Sequence, residues 1–162
     1  MATQSTQANK KLAERLNQLV WNEHKTDVID EIVAERCVMH VGDREFRGTS
    51  GYRAFFDTYT GAFPDLSVQI NDLIAEDGFV VTSYTARGQH TGPLMGIDPT
   101  GKQVKVQGVN IARYRDGKLV EGNNLFNEMS LMQQLGVLPE TVSQKTVSQK
   151  AAPQKATPRK AA

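Results

Sequence analysis

A single cysteine, Cys37, among 162 residues excludes an intramolecular disulfide and any zinc site built from several thiolates. No apolar run approaches the roughly 20 residues that a membrane-spanning helix needs. The polar start, Met1 to Lys10, lacks the apolar core of a secretory signal. The three histidines, His24, His40 and His90, lie far apart with no ligand spacing, so no metal site is expected. A phosphate-binding loop and a dinucleotide fingerprint are also missing: Gly92-Pro93-Leu94-Met95-Gly96 fits neither pattern. Thr49-Ser50-Gly51 reads as a helix start rather than a nucleophile elbow. Nor does one sign of charge dominate. All 18 acidic residues and 14 of the 19 basic ones precede residue 141, which leaves that part at −4. A mildly acidic body argues against nucleic acid as a specific partner. What these absences leave is a protein expected to be soluble and cytoplasmic, with no membrane association.

Most of the chain reads as one domain. Thr-Val-Ser-Gln-Lys occurs at 141–145 and again at 146–150, and lysine recurs at 145, 150, 155 and 160. A five-residue period suits neither helix nor strand, so 141–162 is expected to be a disordered basic tail. Residues 1–9 are expected to be a flexible start, and 10–140 the folded domain. Leu12, Leu16, Leu19 and Val20 follow one helical face that Trp21 closes. Thr26 can cap a second short helix with Ile29, Ile32 and Val33 on its buried side, and Arg36 to Val41 is strand-like. Ser50 can cap a third helix, which carries Tyr52, Phe55, Phe56 and Tyr59. After Pro64 the pattern alternates, and Asp77-Gly78, Thr100-Gly101 and Asp116-Gly117 supply turn signals. Four consecutive antiparallel strands are predicted, at 66–76, 79–91, 102–115 and 118–127, with Gly88 and Gly108 marking bulges or bends. A last helix near 128–135 ends at Gly136. Helices first and a long meander afterwards is an α+β pattern. A bent sheet wrapped around those helices leaves a cone-shaped cavity, the natural place for a small-molecule site.

Candidate residues form a pattern rather than a motif. His40 and His90 each fall near a strand end, and Tyr84 and Asn110 sit on strands whose alternate residues face inward. On the last strand Glu121, Asn123, Leu125 and Asn127 share one parity. If that face looks inward, a carboxylate and two amides point at the ligand; otherwise they are surface or structural groups. Cys37, beside Val38, reads as a small buried hydrophobe.

These residues sit in a familiar string. Phe63-Pro64-Asp65-Leu66, Gly88-Gln89-His90-Thr91-Gly92, Gly96-Ile97-Asp98-Pro99-Thr100-Gly101-Lys102, Asp116-Gly117-Lys118-Leu119-Val120-Glu121 and Gln133-Gln134-Leu135-Gly136 occur in order. In that order, the stretch from Trp21 to Leu138 resembles the SnoaL-like polyketide cyclases, or ester cyclases, of the nuclear transport factor 2-like superfamily. The resemblance implies a cone-shaped α+β barrel, a curved antiparallel sheet around the N-terminal helices. It also implies cofactor-free chemistry, ring closure by aldol condensation with an aspartate on the last strand as acid/base. Here the matching position is Asn127, the usual tryptophan position is Asn123, and a frequent upstream aspartate is Asn110. An amide cannot take up a proton at any useful pH, though it can hold a carbonyl, an enolate or a water.

Three functions are therefore weighed. One is a cyclase or isomerase acting on a hydrophobic polyketide-like or polycyclic molecule, with His90 or His40 as replacement base and Asn127 as a catalytic hydrogen-bonding group. Asn110, Asn123, Tyr84, Glu121, Phe55 and Met95 would then contact the substrate. Phe55, with Phe56, is equally consistent with plain core. The second is a non-catalytic binding or accessory protein of a biosynthetic pathway, and the third a structural scaffold. A homodimer is expected in each case, because Val104, Val106, Val109 and Ile111 place apolar residues on both faces of one strand.

Overall fold

Helical periodicity opens the domain, and the computed structural model describes residues 6–139. The repeat tail 141–162 and residues 1–5 lie outside the described residues. Helix α1, Thr6–Arg15, runs on into a π-helical segment, Leu16–Asn22. This corrects the expected boundary at residue 10: Thr6 already begins the helix, and Asn9 is buried at 1% exposure. The wider π turn keeps Leu16 and Val20 in the core while Asn17 and Trp21 reach the sheet side. Helix α2 is short, Val28–Ile32, with Val28, Ile29 and Ile32 buried. Thr26 does not cap it, and Asp27 at its N-cap makes no side-chain bond either. Val33, expected on that helix, instead begins a strand.

The sheet has six strands: β1 Val33–Val41, β2 Arg44–Arg47, β3 Ser67–Glu76, β4 Phe79–Gln89, β5 Gln103–Arg115 and β6 Lys118–Phe126. Their order is β2-β1-β6-β5-β4-β3, and the sheet is curved but unclosed. The four-strand meander starts and ends within two residues of where the turn signals place it. One pairing corrects the expected antiparallel sheet, and one strand was not expected at all. β1 joins β6 in parallel, Val38 beside Glu121 and His40 beside Asn123. The short strand β2 pairs with β1 through a turn at Gly42, whose φ is +59°. Gly88 and Gly108 mark no bulge. The register slips instead between Ile70 and Asp72, between Val33 and Val38, and between Arg113 and Tyr114.

Helix α3, Gly48–Ala62, lies across the concave face, and its aromatic residues fix it there. It starts before Ser50, which is therefore no cap. Trp21 packs edge-on to Phe55 at 5.0 Å and donates its indole N–H to the Tyr52 hydroxyl at 3.0 Å. Tyr59 extends the cluster to Phe126 of β6 at 5.9 Å. Such ring pairs add about 0.5–1.5 kcal/mol each beyond the area they bury. Helix α4, Glu128–Leu135, closes one end of the sheet with Leu131 and Leu135 and stops at Gly136, whose φ is +81°. No helix among the described residues is long and apolar enough to cross a membrane.

Candidate functional site

Between the sheet and the helices lies a cavity of about 140 Å³. A dry engineered cavity of about 150 Å³ holds a benzene molecule, so the enclosed part here admits a single ring. Its floor comes from the inner face of the meander. Thr82, Tyr84 and Ala86 of β4, Val104, Val106, Asn110 and Tyr114 of β5, and Asn124 and Phe126 of β6 line it. Trp21, Phe55 and Tyr59 form much of the helical wall. Tyr84, Asn110 and Phe55, expected to contact the substrate, all line this one cavity.

The polar part of that site is small and specific. Asn110 and Asn124 are cross-strand partners, and Thr82 faces Asn110 from the other side. Tyr84 donates its hydroxyl proton to Asn124 Oδ1 at 2.8 Å. Burial pushes the Tyr84 phenol up to about 12, against the lowering effect of that hydrogen bond, so it is neutral across the physiological range. Asn110 Oδ1 is buried with no partner, on the side of Gly122. The Asn110 carboxamide lines the cavity beside Asn124. Asn124 uses its oxygen on Tyr84, which leaves its NH₂ free of that bond. Two carboxamides side by side can donate to a ligand oxygen, and the unpartnered Asn110 Oδ1 can accept from a ligand hydroxyl.

Gly108 makes this arrangement possible. A Cβ there would stand 2.4 Å from the Tyr84 hydroxyl oxygen and 2.9 Å from the Leu125 carbonyl. Only a bare backbone lets the Tyr84 ring lie across β5 to reach Asn124. The glycine predicted to bend the strand acts instead as a slot for a side chain.

Several expected site residues lie elsewhere. Glu121, Asn123 and Leu125 face the outer side of the sheet, because Val120 is an extra residue opposite the Arg113–Tyr114 step. Leu119 is buried before the bulge, and Gly122 and Asn124 are buried after it, so the inward parity changes within one strand. Asn127 is exposed and caps α4, its Oδ1 accepting the Ser130 N–H at 2.9 Å. His40 is on the outer face, 3.8 Å from a Glu45 oxygen and 3.7 Å from a Glu121 oxygen.

His90 is fully buried but outside the cavity lining. Its Nδ1 accepts the Thr100 N–H at 3.2 Å and lies 3.0 Å from the Thr100 hydroxyl, while its backbone bridges Lys102 and Gly101. It ties together the ends of the 91–101 loop. Met95 is exposed in that loop, with a φ of +47°. Cys37 is buried, as expected, and desolvation pushes its thiol up to about 12. The cavity residues missed by the sequence reading include Asn124, Thr82, Tyr59 and Trp21. For Asn124 a signal exists: the adjacent apolar pair Leu119-Val120 breaks strict alternation, as a bulge does.

A curved open sheet with helices on its concave side, enclosing an apolar cavity with a few convergent amides, defines an α+β protein of the nuclear transport factor 2-like type. The chain belongs to the SnoaL-like polyketide cyclase family, whose model matches residues 11–135. Among solved structures it is similar to AclR from Streptomyces galilaeus, a candidate hydroxylase. The identity is 28%, with 91% of this chain and 94% of that one covered and a TM-score of 0.77. A candidate polyketide cyclase from Acidithiobacillus ferrooxidans is 26% identical over 85% of this chain and 99% of that one, with a TM-score of 0.69. IdmH from Streptomyces antibioticus, another candidate polyketide cyclase, is 25% identical over 79% and 98%, with a TM-score of 0.69. Among curated proteins none matches the sequence.

Proposed function

We propose that this protein binds a hydrophobic, ring-bearing small molecule of polyketide type and holds one of its oxygens with the amides of Asn110 and Asn124. It does so as a binding or accessory protein of a biosynthetic pathway, without abstracting a proton. One observation carries this reading: the 22 cavity-lining residues include no carboxylate and no imidazole. General acid/base groups contribute about 10²–10⁴-fold in rate, and aldol ring closure needs one at the carbon acid. His40, His90 and Asn127 are each engaged outside the cavity lining, in an ion-pair cluster, a loop anchor and a helix cap. A cofactor is not part of this reading.

A cyclase or isomerase remains the second reading, favoured by the neutral Tyr84 hydroxyl beside two amide donors. In it Tyr84 acts as the acid toward an enolate and solvent supplies the base. The two readings separate in one series. Trp21, the only tryptophan, lines the cavity, so its fluorescence reports occupancy. Titration with aromatic ketones should be saturable, and Asn110→Leu or Asn124→Leu should weaken it about 3–10-fold, the scale of one lost hydrogen bond. Native protein should not accelerate cyclisation of a linear polyketone. Cyclisation that is lost in His40→Ala, His90→Ala or Asn127→Ala would overturn the binding reading.

The outer face of the sheet supports pairing of two copies, and we propose a homodimer. Ile74, Val81 and Ile111 run across β3, β4 and β5 as register neighbours, and Val109 faces Leu125 across β5 and β6. Ile74 is 65% and Leu125 59% exposed in the single chain, an apolar stripe that a second sheet would cover.

A further inference from the structure

One lateral row of the sheet links the cavity amides to a positive charge. Thr82, Asn110, Asn124, Val41 and Arg44 are successive register partners across β4, β5, β6, β1 and β2. Partners in such a row stand on one face of the sheet, and Thr82, Asn110 and Asn124 line the cavity. Arg44 is therefore on the inner face, whereas Glu45, next to it, meets His40 outside. Its guanidinium donates to the Tyr59 hydroxyl oxygen at 2.7 Å and forms no ion pair among the described residues. Arg15, Arg47 and Arg53 differ, each paired with a carboxylate. Tyr59 of α3 lines the cavity, its ring held by Phe55 at 5.5 Å and Phe126 at 5.9 Å. Its oxygen accepts from Arg44, and its own proton has no acceptor among the described residues. Tyr59 also stands within electrostatic reach of the Tyr84 phenol.

We propose that Tyr59, backed by Arg44, holds an oxyanion in the cavity, and that the ligand is an acidic phenol or enol bound as its anion. This rests on the cavity-binding reading above. A hydroxyl whose oxygen already accepts from a cation donates its own proton more strongly, because hydrogen bonds in a chain polarise one another. The Tyr59 phenol keeps that proton. Burial, the largest influence, raises it above its usual 10.0, while the bond and charge of Arg44 lower it and Glu128 of α4 adds the smallest effect, upward. Arg44 and Glu128 are the charged groups that act on Tyr59; only the arginine is bonded to it, so positive charge prevails at the hydroxyl. Tyr59 is therefore a donor to the ligand, and Arg44 is a positioning residue that acts through it. The ligand ring lies against Trp21, Phe55 and Phe126. The ligand's own proton goes to solvent, so the cavity needs no base. A neutral ether or ketone keeps the ring contacts and offers Arg44 no charge to stabilise.

Titration of the full chain with 4-nitrophenol tests this directly, because its single ring suits the cavity and its anion alone absorbs strongly in the visible. With the probe saturated by native protein, its ionisation midpoint should fall about one pH unit below the free value, which corresponds to about tenfold tighter binding of the anion. Tyr59→Phe, which removes the donor and keeps the ring, should return the midpoint to the free value or above it. Arg44→Gln, which keeps the Tyr59 hydroxyl, should remove most of the shift, and Arg44→Lys should keep more of it than Arg44→Gln. A bound midpoint at or above the free value in the native protein overturns the proposal, as does a full shift in either Tyr59→Phe or Arg44→Gln. 4-Nitroanisole, which cannot ionise, separates the two readings. If it quenches Trp21 saturably while bound 4-nitrophenol shows no shift, the cavity reading stands and the oxyanion anchor falls. If neither probe binds the native protein, both fall.

Discussion

Three asparagines within four positions of one another, Asn123, Asn124 and Asn127, have three different fates. Asn123 is exposed on the outer face, Asn124 holds the Tyr84 hydroxyl inside, and Asn127 caps a helix. Residue type alone is silent between these roles; the neighbour that takes the hydrogen bond decides. The resemblance assigns Asn127 the place of an acid/base group, while its observed bond goes to the Ser130 N–H. Asn127→Ala should therefore lower stability by about 1 kcal/mol, the usual cost of a lost N-cap, and leave ligand affinity within twofold. Thermal melts and Trp21 titrations on the same variant check both halves. Asn124→Leu should show the reverse balance, with affinity changed more than the melting temperature.

At the scale of elements, one inserted residue in β6 does the most. The bulge at Val120 lets Leu119 enter the core and still turns Asn124, rather than Asn123, toward the cavity. Strand side chains alternate, so a shift of one position exchanges the two faces completely. The inner wall then depends on a small element contact, Gly108 beneath Tyr84. Gly108→Ala should force the Tyr84 ring off β5, because the new methyl would meet its oxygen at 2.4 Å. Overpacking of this kind costs about 1–3 kcal/mol. The expected outcome is a lower melting temperature and a weaker aromatic ketone complex. Alkaline titration of the tyrosines should begin earlier, since Tyr84 loses both burial and the Asn124 bond.

For the molecule as a whole, two expectations follow from where its apolar and titratable groups lie. The exposed stripe on the outer face should make the native chain a dimer by light scattering at micromolar concentration, and Leu125→Glu or Ile111→Lys should return it to monomer. A monomeric native protein would remove the pairing through this face. The interior should also make the fold sensitive to alkali. Burial raises the Cys37 thiol from 9.0 to about 12 and the Tyr84 phenol from 10.0 to about 12, and it raises Tyr52 and Tyr114 as well. These groups hold their protons more tightly folded than unfolded. Their contribution is complete below pH 9 and is lost as pH rises toward 12, so the melting temperature should fall across that window. Cys37→Ala should flatten the start of the decline, leaving the part that begins near the tyrosine value of 10.0.

The sequence by itself determined the meander, because Asp77-Gly78 and Asp116-Gly117 name tight turns locally and the alternating runs between them set strand length. It determined α4 and its end at Gly136 for the same reason: capping chemistry acts over a few residues. Tyr84, Asn110 and Phe55 were legible as cavity residues, since each lies on an uninterrupted period. Strand β2 was not, because four residues at a sheet edge carry too little alternation to stand out. The parallel join of β1 to β6 was also hidden, as it unites segments about 80 residues apart through backbone bonds that leave no mark on side-chain pattern. Only the tertiary structure decided which amide of β6 faces inward, for a bulge is a property of two strands in register. It alone removed His40, His90 and Asn127 from the cavity lining, because a polar side chain's role depends on the partner that reaches it first.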